Sequence, residues 1–445
     1  MKKIRIGSGA GYSGDRLEPA LHLMQFGRLD YICFECLAER TIALAQKEKQ
    51  CNPNKGYNPL LEYRMEKVLP LSRKHGVKVI TNMGAANPES AMSLIGDLAS
   101  RQNLKGLKIA AVLGDDIFGR IENYIHLPVL ETGQPLADLS DRLISANAYL
   151  GAMPIVEALR GGADIVITGR VADPSLFLAP LIYEFGWTEN DYGKLGRGTL
   201  TGHLLECAAQ VSGGYFADPG KKDAPDLWNV GFPFAEVDEE GNGFISKVGG
   251  TGGRVSVATC TEQMIYEIHD PERYITPDCV ADFSGVYFTE LEKDKVACQG
   301  GKGAPATDFY KVSVGYQNGY FAEGQISYGG ANCVERAQLA MEIVRRRLDR
   351  PDFHTEDLRI ELMGINSVSP LKPSNTQIPE VRLRVACRTE SQSQAARIVN
   401  EVETLYTNGP AGGGGVTGNV EEVISIASVL VPKSDIQAKV VYLQM

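Results

Sequence analysis

Two carboxyl groups stand where a protein can move protons. Glu35 closes on the apolar run "DYICFEC" (30–36), and Asp173 sits in "TGRVADPS" just beyond another apolar run. Taking or giving a proton beside a carbonyl needs an acid, a base and fixed positive groups that hold developing negative charge. Arg170 and Arg254 are candidates for the positive groups. The backbone of two glycine-rich loops adds a second source. One loop, "GSGAGYSGDR", carries Gly9, Gly11, Ser13 and Gly14; the other, "GGTGGR" (249–254), carries Thr251 and Gly252 before Arg254. Free N–H groups at such loops and at helix starts form anion seats. Asn87, followed by Pro88 and Glu89, reads as a helix N-terminus facing the same region, with Asn82 and Gly84 just before it and Arg40 nearby in "ECLAERT".

Other spacings point to other chemistry. Gly9-x-Gly11-x-x-Gly14 matches a dinucleotide fingerprint literally, and Glu35 follows at about the spacing of its acidic partner. Tyr12, Ser13 and Asp15 crowd that loop, so NAD and FAD are disfavoured. His203 and Glu206, at i and i+3, could join Asp115 and Asp116 in holding Mg²⁺ or Zn²⁺ for a metal-assisted lyase, although a surface helix pair is the commoner outcome. Asp15 and Asp173 also suit simple helix caps. Cys33-x-x-Cys36 lacks the helix-start position of a redox motif; Cys33 inside its apolar strand reads as a buried structural thiol.

The elements that position these groups follow from periodicity. Apolar runs "KIRIGS", "DYICFEC", "VKVITNMG", "LKIAAVLG" and "ADIVITGR" alternate with segments of helical spacing up to about residue 185. That alternation predicts a doubly wound parallel sheet, with the site at the carboxyl ends of the strands. The rhythm then changes, and the expected division is an α/β domain over 1–230 and an α+β domain with an antiparallel sheet over 231–445. Hairpins are expected at Glu240-Gly241-Asn242 and at "QNGYF", and "GPAGGGGVTG" (409–418) reads as a linker.

Composition narrows the class. The 445 residues carry a net charge of −10, which argues against nucleic acid, and no apolar run is long enough for a membrane span. Nine cysteines at irregular spacing and no secretory leader suggest a cytoplasmic chain. A small-molecule substrate and a homo-oligomer are the expected partners.

The segments "GSGAGYSGDR", "FECLAERTIALAQ", "GYNPLLEYRM", "TNMGAANP", "ITGRVADPSLF" and "GGTGGRVS" with "PDCVADFSGV" together resemble the acyclic terpene utilisation family, AtuA. The resemblance runs from about residue 4 to 443. It implies a part in catabolism of terpenoid carboxylates through CoA thioesters, with a CoA thioester as a candidate substrate. Longer relatives carry a small further C-terminal domain, so a function needing it would call on a separate polypeptide. The expected activity is hydratase- or lyase-type proton transfer, with a non-catalytic ligand-binding or complex-forming subunit as the alternative.

Overall fold

A computed structural model describes residues 2–368 and 378–445 of the chain. The expected parallel strands are present. They are β1 (Lys3–Ala10), β2 (Tyr31–Phe34), β3 (Lys78–Thr81) and β4 (Lys108–Leu113), followed by β5 (Leu143–Ala148), which pairs elsewhere, and β6 (Ile165–Thr168). The parallel order is β1-β2-β3-β6-β4.

Alternation along these strands divides the burial between two faces. Ile32, Phe34, Val79, Ile109, Ala111, Ile165 and Ile167 share one core with Leu23 of α1 (Glu18–Phe26) and Met65 of α3 (Leu61–His75). Ile95 of α4 (Pro88–Arg101) completes that face. The alternate residue Cys33 points the other way and donates its thiol to the Leu176 carbonyl of α6 (Ser175–Phe185) at 3.3 Å. Cys33 and Cys36 are both buried free thiols, and burial pushes the Cys33 thiol well above its ordinary value.

Antiparallel strands extend this sheet at both edges. β7 (Pro233–Asp238) pairs with β1, and β8 (Gly243–Lys247) with β7; the C-terminal strand Lys439–Gln444 lies along β4. Two further strands, Lys295–Gln299 and Tyr287–Glu292, bring the sheet to ten. The fold is therefore mixed α/β with one large parallel and antiparallel sheet and smaller antiparallel ones.

The chain forms two compact units, one of residues 1–315 and 426–445, the other of residues 316–425. The expected boundary at 230/231 coincides with a switch from parallel to antiparallel pairing that lies within the first unit, because β7 bonds directly to β1. In the second unit, Glu380–Thr389 pairs antiparallel with Glu356–Met363 and with residues 320–329. Helices Cys333–Leu348 and Gln392–Glu403 cover this sheet through Ala337, Ala340, Val344, Ile398 and Val402.

The Glu240-Gly241-Asn242 turn joins β7 to β8 as expected. "QNGYF" does not turn the chain. Strand Phe309–Gly329 runs through it, with Gly319 at φ 77° and no room for a side chain beside the Thr389 carbonyl. An Asn-Gly pair serves a strand irregularity as readily as a hairpin. Likewise, residues 413–418 of the glycine-rich segment lie in strand Gly413–Pro432.

Candidate functional site

The carboxyl ends of β1 and β2 open onto a cavity of about 640 Å³. Its wall includes Asp15 beyond β1, Glu35 beyond β2, and Glu39 at the start of α2 (Glu39–Cys51). Asp173 beyond β6 reaches it, as do Glu206, the last residue of α7 (Tyr192–Glu206), and Glu267. A second cavity of about 250 Å³ shares Glu39, Asp173, Glu206 and Glu267, and adds Tyr149, His203 and Lys311.

Glu35 is held on one side only. Its Oε1 accepts from the Leu37 N–H at 2.8 Å and the Asn82 amide at 2.9 Å, while Asn82 accepts from the Cys36 N–H. Burial and the negative Asp173 push Glu35 up to about 8, against the pull of Arg170 and these two donors. Glu35 thus resists ionisation more than an ordinary carboxyl does.

Arg170 lies behind this wall, 1% exposed. Its guanidinium donates to the Leu37 carbonyl, to Asp173, and through Nε to the Val171 carbonyl, and it stacks 4.3 Å from the Tyr149 ring centroid. This corrects the expectation that Arg170 reaches toward an anionic substrate: its charge is spent inside the protein. Asp173 is tied to it rather than capping α6, which has no side-chain cap. Burial raises the Asp173 carboxyl and Arg170 opposes that rise. Because Asp173 lifts Glu35 by like-charge repulsion, Asp173→Asn is expected to lower the Glu35 pKa. A pH titration of glutamate carboxyl resonances checks the direction.

Glu39, Tyr149 and Lys311 complete the neighbourhood, and sequence reading missed all three roles. The Tyr149 hydroxyl donates to Glu39, and Lys311 Nζ lies 3.4 Å from the same oxygen. Burial would raise Glu39, but the Tyr149 bond and the Arg170 and Lys311 charges outweigh it and lower Glu39 to about 2. Glu39 is an ionised carboxylate close to Glu35, whose carboxyl resists ionisation.

Several expected anion contacts are closed. The Gly11 N–H is taken by the Asp15 carboxylate at 2.8 Å, and Gly9 lies within β1 against the Phe34 ring. Asp15 also accepts from the Arg16 N–H; it braces this loop and does not cap α1. Gly11 and Ser13 still line the cavity, with Ser13 bound to Asn58, whereas Gly14 packs against the Tyr12 ring. A side chain at Gly11 would press within 2.5 Å of the Cys207 backbone, where α7 ends against the loop. Gly11→Ala is therefore expected to cost about 1–3 kcal/mol of stability in urea unfolding.

The second loop lies away from the cavity. Gly252 N–H donates to the Asn229 carbonyl at 2.8 Å and Arg254 N–H to Ser212 at 2.7 Å; the Thr251 hydroxyl bonds the Val248 carbonyl. Gly252 and Gly253 serve close backbone packing, against the Asp226 and Ser212 carbonyls. Asn87 caps α4 with its own side-chain oxygen, 3.4 Å from the Ser90 N–H, and its amide ties down Pro53 and Lys55. Gly84 packs against the Thr168 carbonyl, and Arg40 is exposed outside both cavity walls.

The four residues considered for a metal divide into separate structural pairs. Asp115 is buried, accepts from Asn147 and from the Arg170 N–H, and is raised to about 6 by that burial. Asp116 faces Gln46 and Lys49. His203 contacts Glu206 through Nδ1 at 2.8 Å and the Met264 carbonyl through Nε2 at 3.1 Å, which occupies both ring nitrogens. Among the described residues no group of three or more His, Cys, Asp or Glu side chains is arranged around a metal position.

Compared with known families, residues 4–442 match the acyclic terpene utilisation family protein AtuA. The chain belongs to this family. The AtuA match spans β1 to the C-terminal strand, so the cavity and every carboxyl described around it fall within the family region. Membership ties the chain to acyclic terpene utilisation. No match was found among curated proteins or among solved structures. Among the described residues no helix is long and apolar enough to cross a membrane.

Proposed function

We propose that this AtuA-family chain is an enzyme of branched acyl thioester breakdown, acting as a hydratase or lyase at a carbon beside the thioester carbonyl. The observation that carries this reading is Glu35, a buried carboxyl at the strand-end cavity with one oxygen held by two donors and its pKa pushed up by burial. Such a group can deliver a proton to a departing hydroxyl and recover it from water in the reverse direction. Asp173 holds no substrate proton in this reading. Its charge, anchored by Arg170, favours the protonated form of Glu35.

The acidic wall also bears on the substrate. Asp15, Glu35, Glu39, Asp173, Glu206 and Glu267 surround the cavity, and a free carboxylate would meet repulsion from the ionised members. A thioester presents a neutral carbonyl instead, with the coenzyme's phosphates left outside. NAD and FAD have no part in this chemistry.

The test is incubation of the full chain with branched 3-hydroxyacyl and 2-enoyl thioesters of coenzyme A, followed by mass spectrometry of the acyl products. Interconversion with gain or loss of water is the expected result. Tight binding of these thioesters without conversion would support a ligand-binding subunit and overturn the enzymatic reading.

A further inference from the structure

The C-terminal turn of α7 presents a second carboxyl that the Glu35 reading leaves unused. Glu206 is 8% exposed and lines both cavities. Its Oε1 is engaged with His203, while its Oε2 is buried with no hydrogen-bond partner. A buried carboxylate oxygen left unpaired is costly, so its retention beside a cavity points to a partner that arrives from the cavity.

The surroundings of His203 settle what this pair can do. Nε2 faces the Met264 carbonyl, which only accepts, so that nitrogen keeps its hydrogen in every state. The ring is packed near Tyr274 and Phe283, at centroid distances of 5.5 and 5.9 Å, and cannot rotate freely. The remaining nitrogen, Nδ1, is committed to Glu206 Oε1. Proton exchange with a ligand is left to Glu206 Oε2. Burial works against a proton on His203, while Glu206 and the helix C-terminus favour it, with a net upward shift. Burial raises the Glu206 carboxyl to about 7, with His203 pulling against the rise.

We infer that Glu206, oriented by His203, is a second proton-transfer carboxyl of this cavity, and that it removes the carbon-bound proton beside the thioester carbonyl. This rests on the hydratase or lyase reading above. The step balances in two stages. The C–H proton passes to Glu206 Oε2 and its electron pair forms the enolate of the thioester. The enolate then re-forms the carbonyl and a carbon–carbon double bond as the C–O bond at the next carbon breaks, and the hydroxyl leaves as water with the proton from Glu35. His203 is a positioning residue here.

The test follows deuterium from solvent into the carbon beside the carbonyl of a branched 3-hydroxyacyl-coenzyme A thioester, using the full chain in D₂O. Glu206→Gln is expected to lose at least about 100-fold in incorporation, the usual scale for removing a general base. Glu35→Gln is expected to keep incorporation and lose elimination of water. Unchanged incorporation in Glu206→Gln, with elimination lost in Glu35→Gln, overturns this inference alone. Full turnover in Glu35→Gln, or no reaction of the unmodified chain, overturns the reading beneath it as well. Thermal melting identifies a Glu206→Gln protein that fails to fold. Glu206→Asp then carries the same comparison, because it keeps the charge and withdraws the carboxyl by one methylene: slowed incorporation supports the inference and unchanged incorporation overturns it.

Discussion

Arg170→Ala is expected to destabilise the protein by about 3–5 kcal/mol, the range for removing one partner of a buried charged pair. The guanidinium is 1% exposed and has three acceptors: the Leu37 carbonyl from a distant stretch of chain, and the Val171 carbonyl and Asp173 carboxyl of its own loop. Alanine leaves the Leu37 carbonyl without this donor and Asp173 without its countercharge, next to Glu35 and Glu39. It also removes the cation stacked on Tyr149, whose hydroxyl anchors Glu39. Urea unfolding and melting temperature check this. A protein of normal stability with weakened anion binding would show instead that Arg170 serves a substrate. Arg170→Lys is expected to recover only part of the loss, since one ammonium cannot reproduce a planar fork to three acceptors.

Glu35→Gln is expected to fold, bind thioester and lose about 10²- to 10⁴-fold in turnover, the range for removing a general acid. Glutamine keeps the shape and can still accept from Leu37 and Asn82 through its oxygen. What it lacks is a transferable proton. The same substitution has a signature in stability. Glu35 is raised from an ordinary 4.5 to about 8, so the folded state holds a proton that the unfolded chain releases between those values. Its contribution is fully present below about 4.5 and is lost as pH rises to about 8. Over that window this one group lowers stability by at most about 1.4 kcal/mol per pH unit. Glu35→Gln should flatten the pH dependence of unfolding there. An unchanged slope together with normal turnover would remove Glu35 from the mechanism.

Much of the frame could be read from residue types and periodicity. Five apolar runs separated by helical spacing gave the parallel strands, and the strand-end rule placed Glu35 and Asp173 on one cavity. What failed was the inference from residue type to availability. Arg170 reads as a free cation until the fold brings Leu37 alongside it from 133 residues away. The glycines at 249–253 read as an anion seat, yet the N–H groups of Gly252, Gly253 and Arg254 meet carbonyls of Asn229, Pro225 and Ser212. Glycine marks close backbone approach, and the local pattern is the same whether the approaching group is a phosphate or another strand of the chain.

Glu39 was hidden for a related reason. At the start of a polar helix it resembles a surface carboxylate, and its partners Tyr149 and Lys311 lie 110 and 272 residues on. The switch at β7 was similarly non-local. A change of rhythm after about residue 185 is visible in the chain, but only the pairing of β7 with β1 shows that the same sheet continues. His203 and Glu206 were visible as a pair from their spacing; their orientation toward the cavity depended on α7 ending there.

The central claim is that Glu35 carries a proton into the cavity at neutral pH. Carbon-13 NMR of the glutamate δ-carboxyl resonances, differenced against Glu35→Gln, measures this without any substrate. The account predicts a Glu35 resonance that titrates with an apparent midpoint near 8. A Glu35 resonance that titrates near the ordinary 4.5 would contradict it.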